Sequence, residues 1–279
     1  MKKLMSIASA MLCVTALASL DPSATSLTSG VVGYGQADLN YRYTGVGPMF
    51  FAIGEDVTSV QNLVVKGLDE AEGTGYEIAP ITSGGNIPVK YYWWGGHSGD
   101  GLPDGWYTTA DSDIIEAAIE AGTTASLLAP ISMAKGEGLV TYMQDASLAI
   151  QGSGEVLSGD AIRPLNYRYT GVANPFPASV SVQSYAVTGL SEAEGTGYEI
   201  APITSGGNIP TKYYWWCGHL ADGLPDGWYV TADSDIIEAA IEAGTTAELL
   251  ADYTFAPGEA AVTYMQDSGL GLSITNPIN

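Results

Sequence analysis

Short apolar segments, rich in β-branched and aromatic residues, recur along the chain and are separated by Gly, Pro, Asn and Asp. Strands of antiparallel sheets favour the first group of residues, and turns favour the second. In the first half we predict strands at 39–43, 57–65, 76–81, 89–94, 106–109, 139–143 and 147–150. The pattern therefore indicates a mainly β fold.

One segment of each half has a helical pattern instead. Residues 114–121 predict a short helix, with Asp113 placed to cap its start and Gly122 placed to end it. A helix of about eight residues is not stable alone, so we expect Ile115 and Ala118 to pack onto a sheet. We therefore predict a β-sandwich or a barrel-like unit with one short docked helix.

The chain contains an internal duplication. Residues 71–126 align with residues 193–248 at an offset of 122, and 50 of the 56 positions are identical. The similarity extends toward the N-terminus, where residues 39–46 recur as residues 165–172 at an offset of 126. A repeat of about 120 residues has the size of a domain, so the sequence predicts two tandem β-rich domains.

The first residues are typical of a secretory signal peptide. Lys2 and Lys3 precede an uncharged apolar run that ends in the small-residue triplet 16–18. A short buried N-terminal helix is the alternative. We expect a secreted or cell-surface protein with no membrane span, because no later stretch approaches the ~20 apolar residues that a spanning helix needs. The predicted parts are a signal peptide at 1–18, an extended N-terminal segment at 19–30, and β-rich repeat domains at 31–156 and 157–279.

The charge balance limits the partners. The chain has 9 basic and 31 acidic residues, which gives a formal net charge of -22. A protein this acidic repels a phosphate backbone, so nucleic acid is excluded as a partner. We find no phosphate-binding motif, and residues 83–86 (Ser-Gly-Gly-Asn) predict a hairpin turn.

The first half of the chain contains three short motifs in a defined order. The chain has Val-Val-Gly-Tyr at 31–34, Asp-Gly-Trp-Tyr at 104–107 and Ile-Glu-Ala-Gly-Thr at 119–123. In this order they resemble largely uncharacterised secreted repeat proteins of Verrucomicrobia-like bacteria. The resemblance covers most of each repeat and implies a secreted β domain. It supplies no catalytic residues.

Each half contains four consecutive aromatic residues, Tyr-Tyr-Trp-Trp, at 91–94 and 213–216. Alternation along a strand places two of these rings on each face. The pair that faces away from the core is either covered by packing or exposed as a platform for a sugar ring or a protein. Two such platforms on one chain would bind a polysaccharide with avidity. The candidate stacking residues are Tyr91, Trp93, Trp94, Trp106, Tyr213, Trp215, Trp216 and Trp228.

Aspartates crowd a glycine-containing loop in each half. Clustered carboxylates suit calcium, although the spacing of an EF-hand is absent. The alternative is that these side chains form turns and cap the helix. The candidate calcium ligands are Asp100, Asp104, Asp111, Asp113, Asp222, Asp226, Asp233 and Asp235. Calcium is the one possible cofactor.

His97 and His219 are the only histidines, and they occupy equivalent positions. Cys217 precedes His219 by two residues, but Gly95 occupies the matching place in the first half, so we do not predict a catalytic Cys-His pair. Removal of the leader takes Cys13 with it. Cys217 is then an odd thiol that could form an intermolecular disulfide.

These observations favour a non-enzymatic structural or cell-surface protein that self-associates into a filament or surface layer. Strand addition through residues 23–36 or 270–279 is the expected route. An extracellular carbohydrate-binding module is the alternative. A hydrolase that uses the glutamates at 70–77 and 192–199 is a third hypothesis, although these residues are better explained as a solvated acidic loop.

Overall fold

The structure is a computed structural model that describes residues 32–52, 54–81, 89–203 and 211–278. Within these ranges the protein is mainly β, with two α-helices and several antiparallel sheets, none of which closes into a barrel. The predicted β-sandwich class with one docked helix per repeat is confirmed, and the barrel alternative is wrong. The predicted signal peptide at 1–18, the N-terminal segment at 19–30 and the hairpin turn at 83–86 lie outside the described residues.

The first repeat contains, in chain order, β1 (Val32–Leu39), β2 (Arg42–Val46), β3 (Val57–Ser59), β4 (Val64–Lys66), β5 (Ala71–Pro80), β6 (Tyr91–Gly95), β7 (Gly105–Tyr107), α1 (Ser112–Glu120), β8 (Ser132–Ala134), β9 (Leu139–Met143) and β10 (Leu148–Glu155).

The second repeat has the same order of elements: β11 (Ala161–Pro164), β12 (Arg168–Ala173), β13 (Val180–Ser181), β14 (Tyr185–Thr188), β15 (Ala193–Pro202), β16 (Tyr213–Cys217), β17 (Gly227–Tyr229), α2 (Ser234–Ala243), β18 (Thr254–Phe255), β19 (Ala260–Met265) and β20 (Gly271–Ile274).

Each repeat is a sandwich of a three-stranded and a five-stranded sheet. In the first repeat the strand orders are β1-β10-β4 and β2-β9-β5-β6-β7. One core lies between them, because Leu39 and Ile150 of the smaller sheet pack in the same cluster as Ile78, Met143 and Trp106 of the larger one. The second repeat repeats both orders as β11-β20-β14 and β12-β19-β15-β16-β17.

The helix of each repeat covers the other face of the five-stranded sheet. Ile115 of α1 packs against Trp94 of β6 and Tyr107 of β7, and all three side chains are buried. Ala118 is also buried, as the apolar spacing predicts. No helix among the described residues is long and apolar enough to cross a membrane.

The helix begins two residues earlier than its pattern predicted. Asp111, rather than Asp113, is the N-cap, and its carboxylate accepts hydrogen bonds from the backbone N–H groups of Asp113 and Ile114 at 3.0 and 3.4 Å. A cap of this kind satisfies N–H groups that have no partner within the helix. Asp233 is the N-cap of α2 and accepts a hydrogen bond from the backbone N–H of Asp235 at 3.0 Å.

Residues 23–36 and 270–279 were predicted to pair with another subunit. The described parts of both segments pair with strands of their own chain. β20, from the segment 270–279, is the central strand of its sheet and pairs with both β11 and β14. Val32–Leu39 pairs with β10 over eight residues, so the described part of the segment 23–36 is also occupied on one side. For residues 270–279 the prediction of a free strand donor is wrong, because both sides of β20 already serve its own sheet. For residues 23–36 strand addition stays a prediction, since the described residues 32–36 pair on one side alone.

The two repeats contact each other reciprocally. The N–H of Gly47 donates to the carbonyl of Gly258 at 2.8 Å, and the N–H of Ala173 donates to the carbonyl of Gly136 at 2.9 Å. Residues 47 and 173 are equivalent in the two repeats, as are residues 136 and 258. Each repeat therefore contributes the same surface patch to the contact, as each subunit does at a two-fold interface.

Glycines allow the two backbones to come this close. A Cβ added to Gly171 would lie 2.1 Å from the carbonyl oxygen of Gly138, and one added to Gly45 would lie 2.6 Å from that of Ala260. Gly45 and Gly171 are equivalent positions. Beside them a small apolar cluster joins the repeats through Ala79, Val140 and Ile203.

Candidate functional site

The aromatic strands lie inside the fold. Trp93 and Trp106 are 2% and 0% exposed and meet edge to face in the sandwich core, with ring centroids 5.3 Å apart. Trp94 is 4% exposed and lies under α1, and Tyr91 is half-buried against the core. The equivalent rings Tyr213, Trp215, Trp216 and Trp228 are buried as well. These side chains cannot form a flat stacking platform, and covered packing is the arrangement found.

The loop aspartates do not converge on one point. Asp104 accepts a hydrogen bond from the backbone N–H of Gly96 at 2.9 Å, and Asp111 caps α1. In the described part of the chain, no group of three potential metal ligands includes any of these aspartates. The turn and cap alternative is found for Asp104, Asp111, Asp226 and Asp233. Calcium binding by Asp100, Asp104, Asp111, Asp113, Asp222, Asp226, Asp233 and Asp235 stays a prediction.

Cys217 is a buried core residue. It is 5% exposed, and burial raises the pKa of its thiol above the usual value. The thiolate is the form that attacks a disulfide, so burial makes this thiol unreactive as well as inaccessible. The predicted intermolecular disulfide at Cys217 is therefore contradicted by its position in the core.

A group of potential metal ligands forms at the start of β5. Glu70 and Glu72 flank Ala71, so the alternation of a strand directs both carboxylates to the same side. Ala71 pairs with Gly95 at the end of β6, and His97 follows two residues later. The pairing of the two strands thus brings His97 to both glutamates. We call Glu70, Glu72 and His97 the acid-histidine cluster.

The ligand atoms of the acid-histidine cluster lie within 4.8 Å of one another. His97 Nε2 is 3.6 Å from Glu70 Oε1, and it is shielded from solvent without a hydrogen-bond partner in the described part of the chain. The second repeat forms the same cluster from Glu192, Glu194 and His219, with Nε2 of His219 4.0 Å from Glu192 Oε1. Each repeat therefore places two carboxylates beside one unpaired imidazole nitrogen.

Sequence reasoning did not connect these three residues. The glutamates were interpreted as a solvated acidic loop and His97 was considered apart from them, because 25 positions separate Glu72 from His97. The usable signal was the pair of glutamates two residues apart at the start of one strand and a histidine just after the next strand. Only the strand register places them together.

A second surface feature lies on the outer face of the five-stranded sheet. Tyr43, Tyr142, Glu77 and Tyr92 are successive cross-strand neighbours on β2, β9, β5 and β6. We call them the tyrosine row. Lys90 forms an ion pair with Glu77 at 2.6 Å, and this hydrogen bond raises the pKa of Lys90, which stays cationic. The second repeat has the equivalent set Tyr169, Tyr264, Glu199, Tyr214 and Lys212.

The tyrosine row is partly open to solvent. Tyr43, Tyr142, Glu77 and Lys90 line a shallow depression between β6 and the contact with the second repeat. The rings of Tyr43 and Tyr142 meet edge to face with centroids 5.2 Å apart, and both are half-buried. Unlike the buried tryptophans, these rings offer some aromatic surface beside charged groups.

No protein family, no curated protein and no solved structure matches this chain in comparisons with known proteins. The resemblance to secreted bacterial repeat proteins stays a prediction from the three short motifs.

Proposed function

We propose that this chain is a secreted, non-enzymatic structural protein whose duplicated β domains assemble into a filament or surface layer. Its copies associate first through the outer edge of β1. The observation that carries the proposal is the difference between this edge and the equivalent edge of the second repeat.

The outer edge of β1 is suited to pairing with another strand. β1 is eight residues long, and within the described residues it pairs with β10 alone. Asp38 is its one charged residue, and Tyr34 is 66% exposed. A long edge strand with little charge presents unpaired N–H and C=O groups that attract another strand.

The equivalent edge of the second repeat is protected. β11 has four residues, and it ends in Arg163 and Pro164 where β1 has Ala37 and Asp38. Proline has no N–H to offer, and Arg163 forms an ion pair with Glu137 of the first repeat at 3.5 Å. Short length, charge and proline are the usual means of blocking an edge. Two otherwise similar repeats thus differ at the feature that controls strand pairing.

A second copy of the chain is the proposed occupant of this edge. Two β1 strands that pair antiparallel would join two three-stranded sheets into one continuous sheet, with backbone hydrogen bonds as the main attraction. The reciprocal contact between the repeats supports the same idea, because it shows that the surface of one repeat fits a near-copy of itself. Pairing at β1 is the first step, and growth beyond two chains uses further surfaces.

The protected edge of β11 can be grafted onto β1 to test this proposal. The double substitution Ala37→Arg with Asp38→Pro copies Arg163 and Pro164, which the fold already accepts at the equivalent positions. We expect the wild-type chain to gain mass with concentration in multi-angle light scattering and the grafted chain to stay monomeric. The grafted chain lacks one backbone donor on the pairing edge, because proline has no N–H.

The matched control is Ile162→Gln, which places the residue of β1 on the protected edge of β11. This variant should associate like the wild-type chain. Equal association of the grafted and wild-type chains, or a wild-type chain that remains monomeric at every concentration, would overturn the proposal.

The tyrosine row favours a second candidate function, contact with a polysaccharide. Aromatic rings beside an ionic pair in a shallow depression can pack on a sugar ring and hydrogen-bond its hydroxyls. Because both repeats carry the row, a polymer that reached both would be held with avidity.

Affinity electrophoresis through gels that contain soluble polysaccharides tests this second function. A ligand should retard the wild-type chain, and replacing Tyr43 and Tyr169 with alanine should abolish most of the retardation. Tyr34→Ala, which removes an exposed tyrosine outside the row, serves as the control. Failure of every polysaccharide to retard the chain, or equal retardation of the double variant, would remove this candidate.

A further inference from the structure

We propose that each acid-histidine cluster is a binding site for a divalent transition-metal ion of the Zn²⁺ class, so that one chain binds two ions. This inference is independent of the proposed structural function. It rests on the chemistry of the donor set, on the unpaired imidazole nitrogen, and on the presence of the site in both repeats.

The donor set selects the class of ion. Glu70 and Glu72 supply carboxylate oxygens and His97 supplies an imidazole nitrogen, a mixture that Zn²⁺ and its neighbours accept. Calcium and magnesium bind through oxygen and make no use of the imidazole. Two carboxylates balance the charge of the ion, and the overall charge of -22 raises the local concentration of cations.

The distances suit a small ion after minor side-chain movement. Ligand atoms at about 2.1 Å from a tetrahedral zinc lie about 3.4 Å from one another. His97 Nε2 and Glu70 Oε1 are 3.6 Å apart, and the three ligand atoms of the cluster lie within 4.8 Å of one another. Glu70 and Glu72 are exposed, so they can adjust their rotamers, and water can complete the coordination.

The imidazole nitrogen provides an observation that a cluster of acids alone would lack. Nε2 of His97 is fully shielded from solvent, points toward a carboxylate, and has no hydrogen-bond partner in the described residues. The same holds for Nε2 of His219. A shielded polar atom without a partner is costly, and a bound cation would supply the missing interaction in both repeats.

Sequence differences between the repeats lie around the cluster and spare its members. Within residues 95–99, three of five positions differ from the second repeat, but His97 is retained as His219. Asp69 is replaced by Ser191, whereas the adjacent Glu70 is retained as Glu192. The site therefore persists where its neighbours have changed.

A bound ion would link the start of β5 to the segment that follows β6. Gly96 carries the chain into His97 with a φ of +83°, and a Cβ there would lie 2.4 Å from the carbonyl oxygen of Asp69. This close approach holds the histidine beside the glutamates before any ion binds. We therefore expect binding to raise the thermal stability of the chain.

Isothermal titration with Zn²⁺ in millimolar CaCl₂ tests the proposal, because calcium occupies unspecific carboxylate sites. We expect two equivalent sites per chain, one site in His97→Gln, and no site in the variant with both histidines changed to glutamine. The exposed pair Glu70→Gln with Glu192→Gln should weaken binding at least tenfold. This glutamate variant should fold normally, because the side chains of Glu70 and Glu192 are 65% and 67% exposed in the wild-type chain.

A matched control and a second signal complete the test. Asp100→Asn with Asp222→Asn removes the same charge from the nearby loop and should leave both sites intact. Co²⁺ should quench tryptophan fluorescence, because the rings of Trp94 and His97 have centroids 5.9 Å apart. Loss of both histidines without loss of Zn²⁺ binding, or no saturable binding by the wild-type chain, would overturn the assignment.

Discussion

Replacement of Gly171 by alanine lowers the free energy of unfolding by about 3 kcal/mol if the two repeats pack as described. The new Cβ would lie 2.1 Å from the carbonyl oxygen of Gly138, which belongs to the backbone of the other repeat. A backbone atom cannot rotate away, so one repeat must shift and the hydrogen bond from Gly138 to Gly171 is strained. Urea unfolding followed by tryptophan fluorescence measures the loss.

The similarity of the two repeats provides an equivalent substitution and a control for this prediction. Gly45→Ala is the equivalent substitution on the other side of the interface and should cost a similar amount, because its Cβ would lie 2.6 Å from the carbonyl oxygen of Ala260. Gly99→Ala is the control, since a Cβ there would contact nothing within 4 Å and the second repeat already has Ala221. If Gly171→Ala unfolds like Gly99→Ala, the reciprocal contact is not the one described.

Replacement of Gln61 by leucine should destabilise the first repeat by about 3 kcal/mol. The side-chain carbonyl of Gln61 accepts the N–H of Trp106 at 3.0 Å. Its amide group donates to the carbonyls of Trp106 and Ala129 at 2.8 and 3.3 Å. One side chain thus takes the place of a neighbouring strand at the edge of β7. Its removal leaves the N–H of Trp106 and the carbonyl of Ala129 without a partner, while the carbonyl of Trp106 keeps the N–H of Ala129.

Thermal unfolding by circular dichroism measures this loss, and Gln183→Leu should reproduce it because Gln183 makes the same contacts with Trp228. Thr108→Val is the matched control. It removes an exposed side-chain hydrogen bond to Leu127 at a position where the second repeat already has Val230. We expect that control to change stability by less than about 0.5 kcal/mol. If Gln61→Leu changed stability as little as Thr108→Val does, Gln61 would not bridge the backbones of Trp106 and Ala129.

The local elements were largely predictable from the sequence, because their signals lie within a few residues. The β-rich segments, the duplication and the helix at Ser112–Glu120 all follow from such patterns. The helix start was misplaced by two residues since both Asp111 and Asp113 are good caps, and the choice between them depends on the chain that enters the helix.

The candidate sites could not be predicted, because they depend on strand register. The acid-histidine cluster needs Ala71 opposite Gly95, and the tyrosine row needs Tyr43, Tyr142 and Tyr92 in successive cross-strand positions. Register follows from the shape of the whole core, which no single segment specifies. The sequence left open whether the outward aromatic pair is covered or exposed, because the answer depends on where α1 docks on the sheet.

Gly45, Gly138 and Gly171 illustrate a further limit. In the sequence they are ordinary glycines among 35. Their importance comes from a contact between two repeats, and the reciprocity of that contact is visible only when equivalent positions are compared in space. The duplication predicted that the repeats are alike but not that they pack on each other.

These features fit together in the proposed structural role. The reciprocal glycine contact joins two sandwiches into one unit, and the outer edge of β1, which has no partner among the described residues, would let that unit pair with another copy. In this proposal the short β11 edge, which ends in proline, would keep the second repeat from competing for the same pairing. Metal ions at the acid-histidine clusters would add stability to each repeat without altering this edge.

Hydrogen-deuterium exchange at rising protein concentration tests pairing at β1 most directly. Amides of β1 that point away from β10 exchange freely in a single chain and become protected when another strand pairs with them. The account predicts that exchange in the peptide covering residues 32–39 slows about tenfold or more at concentrations where light scattering detects association, while the peptide covering residues 161–164 is unchanged. Association without slower exchange in residues 32–39 would contradict it.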